Sequence, residues 1–255
     1  MLSRDAEREL SCTGALNLGR PLPAGGEKVF AQSAPLFQDR NEVGRRLASR
    51  LGHYAGSNAI VVALPRGGVV VGSEIAAALG LPLEVLIVRK IGHPSNPEFG
   101  VAAVVEGGAP VWDREVLRAL RVTTADLKPR LMEEEREVAR RARVYREGRG
   151  FPEVKGRIVL LVDDGTATGN TLRAAIASLR FRGVGRIAVA VGVAPAEVAK
   201  ELRRTVEEWV CLATPGRFSA VGQFYRHFDP VDDREVLELL RGARHASADP
   251  GMRQR

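Results

Sequence analysis

The sequence predicts an α/β protein: a mostly parallel open sheet with flanking helices, interrupted by a β-hairpin and a helical insertion. Three observations carry that expectation. Short apolar runs recur at Ala59–Leu64 (AIVVAL), Leu83–Lys90 (LEVLIVRK), Arg157–Val162 (RIVLLV), Arg186–Ala194 (RIAVAVGVA) and Glu208–Thr214 (EWVCLAT). Such runs suit strands buried on both faces. Segments of helical spacing alternate with them, the order of βαβ units around a parallel sheet. Turns of small residues, PRGG at 65–68 and DDGTATGN at 163–170, join strand to helix.

Each element has a local reason. In FQDRNEVGRRLASRL, Val43, Leu47 and Leu51 share one helical face, with Asp39 or Asn41 as N-cap. A helix of small apolar residues, Val69–Leu79, ends at Gly80. The stretch IGHPSNPEFG reads as a loop, and VAAVVE and APVW flank Gly107-Gly108, a hairpin signal. A short helix near Arg114–Leu120 precedes a long polar one near Ala125–Glu147, with Thr123 or Thr124 as a cap and Pro129 near its first turn. TLRAAIASLRF and PAEVAKELRR are the remaining helices. Residues 1–29 lack periodic apolar positions and predict a disordered extension; 30–241 predict one domain, and 242–255 a disordered basic tail.

Composition excludes several classes. The 255 residues are 45% hydrophobic and 27% charged, which suits a globular chain and removes fibrous or wholly disordered readings. The most membrane-like stretch, Gly67–Val88, carries Glu74, Pro82 and Glu84. The amino terminus has no apolar signal region. Two cysteines, Cys12 and Cys211, make neither a disulfide framework nor a metal spacing, and a cytoplasmic location is expected. The net charge of +7 comes from 33 Arg and 5 Lys against 31 acids. The arginines are scattered and only 5% of residues are aromatic, so nucleic acid is disfavoured as a partner; the surplus suits a polyanionic small substrate equally, or reflects only compositional bias.

The chemistry lies in VLLVDDGTATGNT, Val159–Thr171. An apolar strand delivers Asp163 and Asp164 to its carboxyl end, where open α/β sheets bind ligands. The chain then turns through small residues into a helix start, whose free N–H groups and dipole favour phosphate. Thr166, Thr168 and Thr171 add hydroxyl donors, and Gly169 lets the backbone approach an oxyanion. The two acids repel phosphate and suit vicinal hydroxyls, or a metal ion reached through those hydroxyls or water. Together these features describe a ribose 5-phosphate site.

This segment resembles the thirteen-residue signature of the type I phosphoribosyltransferases: four apolar residues, two acids, then Thr166, Thr168-Gly169 and Thr171 in register. Gly165 stands where that family has an aliphatic residue, which would loosen the loop. The resemblance covers about residues 37–235, and the DR-x-E-x-G-R-like start, RKIG and NPEFG look most like an orphan branch of the family. It implies a Mg2+-dependent transfer of phosphoribosyl from 5-phosphoribosyl 1-diphosphate (PRPP) to a nucleobase or related nitrogen acceptor, with release of pyrophosphate. It places Asp163, Asp164, Thr166, Ala167, Thr168, Gly169, Asn170 and Thr171 on PRPP, and Arg66, Gly67, Gly68, Arg89 and Lys90 on pyrophosphate. Asp163, Asp164, Arg66 and Lys90 would be catalytic, and Gly92–Gly100 would be a closing loop.

The acceptor is less legible. The hypoxanthine-guanine branch has an Asp at the position of Ala167, so 6-oxopurines are disfavoured. Phe218, Phe224 and Tyr225 are candidates to stack on a base, with a C-terminal packing cluster as the alternative. Of the histidines, only His93 lies in a candidate active-site loop. Cys211 reads as a core thiol and Glu133-Glu134-Glu135 as a solvated helix face. The long helix at 125–147 could be a hood or a dimer contact, and a homodimer is expected. A PRPP-sensing regulator without transferase activity, able to bind nucleic acid, is the alternative function; the pyrophosphate residues favour the enzyme.

Overall fold

The computed structural model describes residues 35–93, 96–108, 110–112 and 114–248. The described chain opens on helix α1 (Arg40–Arg50), capped by Asp39, whose carboxylate accepts the Glu42 N–H at 2.7 Å. Strand β1 (Ile60–Ala63), helix α2 (Gly67–Leu79) and strand β2 (Leu83–Val85) follow, α2 ending at Gly80 in the left-handed conformation. Next come strands β3 (Val88–His93), β4 (Asn96–Val105) and β5 (Val111–Trp112), then helices α3 (Arg114–Leu120) and α4 (Lys128–Tyr145). The remainder alternates: β6 (Ile158–Gly165), α5 (Asn170–Phe181), β7 (Arg186–Val193), α6 (Ala196–Leu202), β8 (Glu208–Ala213) and finally α7 (Asp233–Ala248).

Five strands form a parallel sheet in the order β2-β1-β6-β7-β8. Alternation along each strand divides its apolar run between two cores, because successive side chains point to opposite faces. Val61, Ala63, Leu160, Val162, Ala188 and Ala190 pack with α1 and α2, whereas Ile60, Val62, Val159, Leu161, Ile187 and Val189 pack with α5. With apolar partners on both sides, polar residues have no place in mid-strand.

The second sheet is antiparallel, ordered β3-β4-β5, and corrects two expectations. LEVLIVRK is not one strand. Leu86 still donates its N–H to Ala63 of the parallel sheet, while the Ile87 carbonyl already accepts from Glu106 beside β4, so the chain changes sheets within two residues. Gly92–Gly100 is not an irregular loop either: β3 and β4 continue into it, pairing Gly92 with Gly100 and His93 with Asn96. The expected hairpin joins β4 and β5, but the strands are separated by 106–110 rather than by a two-residue turn at Gly107-Gly108.

The helical insertion is tied down by charge. Arg146, just past α4 and 1% exposed, bonds Glu84, Glu106 and the Val85 carbonyl. Tyr145 donates to Asp233 at the start of α7, 2.6 Å away. Neither Thr123 nor Thr124 caps α4. The Thr123 hydroxyl donates to the Asp126 carboxylate at 2.6 Å and accepts the Asp126 N–H, closing the preceding turn. The tail also departs from expectation: α7 runs through Gly242 to Ala248, so the boundary placed at 241/242 falls inside a helix. Residues 1–29 and Cys12 lie outside the described residues. No described helix is long and apolar enough to cross a membrane.

Candidate active site at the strand switch point

From β1 the chain turns outward to β2, and from β6 it turns the other way through β7 to β8. The neighbours β1 and β6 therefore mark a topological switch point, where the loops leaving their carboxyl ends part to opposite faces and open a crevice. The β1 loop, 65–66, leads to α2 on one face, and the β6 loop, 166–169, to α5 on the other.

The two motifs meet there. A Cβ at Gly67 would collide with the Asp164 carboxylate. One at Gly68 would lie 2.9 Å from the Val162 carbonyl oxygen and 3.1 Å from Asp163 Oδ1. The glycines thus let the β1 loop lie directly on the acid pair. The peptide between Pro65 and Arg66 is cis.

Asp163 and Asp164 end β6 in different surroundings. Asp164 is held by Arg40, whose Nε lies 2.7 Å from Oδ2. Arg40 also donates to the Asp229 carbonyl and sits 3.8 Å above the Phe228 ring centroid. The Tyr225 hydroxyl donates to the Asp164 main-chain carbonyl at 2.5 Å. Asp163 accepts the Asp164 N–H at 2.9 Å. Burial, then the neighbouring negative charge, pushes the Asp163 carboxyl well above the usual carboxylate range. Burial also raises Asp164, against the opposing pull of Arg40.

The β6–α5 loop is built from within. Thr166 is buried, its N–H bonded to the Val193 carbonyl and its hydroxyl accepting the Gly169 N–H at 3.0 Å. Its hydroxyl therefore shapes the loop as an acceptor, and its own proton is not used in that bond. Gly169 has φ +77, and a Cβ there would lie 2.9 Å from Val198 Cγ1 of α6. This glycine permits a left-handed turn packed against a helix. Ala167 and Thr168 are exposed, and their N–H groups have no hydrogen-bond partner among the described residues. Arg173 staples the loop, donating to the Thr168 carbonyl at 2.8 Å and to Asn170 Oδ1 at 2.7 Å while paired with Glu201. Gly165 does not loosen the loop: a Cβ there would come within 2.7 Å of Val221 Cγ1, so glycine allows that residue to pack closely.

The other candidates divide. Lys90 is exposed, has no ion pair among the described residues, and lies near enough to Asp163 to favour its charged form. Arg66 is 41% exposed in its side chain, with Asp233 at 3.8 Å. Arg89 is committed elsewhere, its guanidinium gripping both oxygens of Glu134 at 2.6 and 3.3 Å. Glu134 is accordingly half-buried rather than part of a solvated face. Phe224 and Tyr225 are 3% and 5% exposed and belong to the core, so neither offers a free face to a base. Phe218 packs on Phe224. Cys211 is half-buried, and burial pushes its thiol up to about 11. The His93 side chain lies outside the described residues.

Sequence reasoning missed Arg40, Phe228 and Arg173. Arg40 and Phe228 are distant from the signature in the chain, and only folding brings them to Asp164. Arg173 stands two residues beyond Thr171, and its place in the first turn of α5 was a usable signal.

A parallel α/β sheet with paired acids and a helix-start loop at its switch point defines a class of phosphate-ligand-binding folds. Comparison makes this specific. A sequence model of the phosphoribosyl transferase domain matches residues 37–222, and the chain belongs to that family. Two strains of Mycobacterium tuberculosis, CDC 1551 / Oshkosh and ATCC 25618 / H37Rv, each have a protein named "Putative phosphoribosyl transferase" that is 40% identical over 227 residues. That alignment covers 86% of this chain and 51% of theirs, so the chain spans about half the length of these curated relatives. A crystal structure of a protein from Thermus thermophilus is also 40% identical, with a TM-score of 0.67, covering 80% of this chain and 97% of that one.

Proposed function

We propose that this chain transfers the phosphoribosyl group of PRPP to a nitrogen acceptor and releases pyrophosphate. The observation carrying this reading is the contact of the Gly67-Gly68 backbone with the Asp163-Asp164 pair, beside a loop with free N–H groups. That arrangement suits one ligand bearing a diphosphate, vicinal hydroxyls and a 5′-phosphate.

In this reading the Ala167 and Thr168 N–H groups, with the Thr168 and Thr171 hydroxyls, hold the 5′-phosphate at the α5 start. Asp163 and Asp164 accept from the ribose hydroxyls and offset the positive charge that develops on the ring. Arg66 and Lys90 face the diphosphate and stabilise it as it departs. The bond from C1 to the diphosphate oxygen breaks, a C1–nitrogen bond forms, and the acceptor nitrogen loses its proton.

The residues present fit Mg2+ in a restricted way. No group of three or more His, Cys, Asp or Glu able to hold a metal occurs among the described residues. Two carboxylates do not make a resident octahedral cage, but they suit a cation that keeps phosphate and water ligands, with the acids reaching it indirectly. Bound there, Mg2+ supplies neutralisation of the diphosphate charge.

The test is pyrophosphate release from PRPP and Mg2+ across a panel of purines, pyrimidines and small amines, with PRPP affinity measured alongside. Acceptor-dependent release supports the transferase. Tight PRPP binding with no release for any acceptor replaces it with a sensor, and absence of binding removes both.

A further inference from the structure

A second cleft lies at the free edge of the parallel sheet, far along the strand order from the β1–β6 crevice. It has a volume of about 610 Å³ and is walled by Arg50, Lys200, Arg203, Arg204, Trp209 and Cys211, among others. Strand β8 pairs with β7 on one side only, and the cleft straddles its other side. Arg50 comes from the last turn of α1, which packs on one face of the sheet; Lys200, Arg203 and Arg204 come from the end of α6, on the other. Cations from both faces thus converge on one cleft.

The charge is unbalanced in a way that neighbouring surfaces are not. On α1, Arg45 and Arg46 are paired with Glu74 and Glu42; on α5, Arg173 and Arg180 are paired with Glu201 and Glu207. Arg50, Lys200, Arg203 and Arg204 have no carboxylate partner among the described residues, and no acid lines the cleft. All four stand at or just past a helix C-terminus, where cations are favoured, but that preference does not account for two such ends, from opposite faces of the sheet, meeting at a single concavity. The volume falls in the range of small-ligand sites, and the half-buried Trp209 offers an aromatic wall. A nucleic-acid backbone needs a continuous basic track, whereas these cations ring a cleft.

We propose that this cleft is an accessory site for a nucleoside polyphosphate, its phosphates held by Arg50, Lys200, Arg203 and Arg204 and its ring set against Trp209. The site is separate from the PRPP reading and stands without it.

The test follows Trp209 fluorescence in the full chain carrying Trp112→Phe, which leaves one indole, and Arg66→Ala, which weakens anion binding at the crevice. ATP, tripolyphosphate, inorganic phosphate and a single-stranded oligonucleotide are titrated at low salt. The expected result is saturable quenching by ATP, weaker binding of tripolyphosphate, and at least a tenfold loss of ATP affinity in Lys200→Glu/Arg203→Glu with an unchanged melting temperature. Reversal also separates this role from guarding of the strand edge, which charges of either sign perform. If the reversed variant melts lower, Lys200→Gln/Arg203→Gln replaces it with the same expectation. No quenching by ATP, affinity unaffected by the substitutions, or binding of the oligonucleotide in preference to ATP each overturns the proposal.

Discussion

Arg40 and Asp164, 124 residues apart, form a 2.7 Å ion pair under the Phe228 ring at the centre of the candidate active site. Both side chains are largely out of water, at 11% and 13% exposure. The acid pair is therefore asymmetric: Asp164 has a resident counter-ion, while Asp163 has burial and a like charge beside it.

Asp163→Asn is expected to abolish turnover while making the folded chain more stable at neutral pH. The Asp163 carboxyl titrates well above its unfolded range, so between the unfolded and folded values the folded chain holds more protons than the unfolded one. Stability tied to this group is present at low pH and is lost as pH rises through the folded value. Urea melts from pH 4 to 8 in Mg2+-free buffer should show a gain in stability at pH 7 that shrinks toward pH 4. A variant less stable than the parent at pH 7 would contradict the electrostatic account.

Arg40→Met should act in the opposite direction. It leaves Asp164 without its partner at a site with little water, at a cost of about 3 kcal/mol. Adding Asp164→Asn to it should recover much of the loss, because the uncompensated charge is gone. Additive effects in this double-mutant cycle would mean that the pair is not coupled.

Thr171→Val tests the phosphate loop more cleanly than any change at Gly169. The Thr171 hydroxyl makes no hydrogen bond among the described residues, so its loss should leave melting within about a degree. PRPP affinity should fall about tenfold, or about 1.4 kcal/mol, in calorimetric titration. Gly169→Val should lower the melting temperature itself, since it combines a positive φ with a clash against Val198. Equal PRPP affinities for Thr171→Val and the parent would take the hydroxyl out of the site.

Ending the chain after Arg241 should cost less than about 1 kcal/mol. The cut removes the last turns of α7 and the Arg244–Glu147 pair at 2.8 Å, a contact of partly exposed groups. The buried Val236 and Leu240 remain, and Arg241 keeps its own pair with Glu147. A loss of several degrees in a thermal melt would show that the end of α7 does more than extend a formed helix.

The sequence by itself determined the parallel sheet, because strands covered on both faces must be apolar throughout, and five such runs alternate with helices. It also located the acids and the threonine-rich loop, since that chemistry is contiguous within thirteen residues. Whatever depended on partners far along the chain was decided by tertiary structure. LEVLIVRK has one apolar pattern, yet its two halves join different sheets, a choice made by Ala63 on one side and Glu106 on the other. Arg89 and Lys90 are adjacent and alike in charge; Glu134 on α4 takes the first and leaves the second exposed beside Asp163. Gly169 reads as a glycine of the phosphate loop, and only the packing of α6 shows that Val198 also leaves no room there for a side chain. Tyr225 reads as a base platform until its ring is found in the core with its hydroxyl on the Asp164 carbonyl. The physical reason is common to all four: periodicity reports which face of an element is buried, whereas the identity of the group against it depends on how distant segments pack.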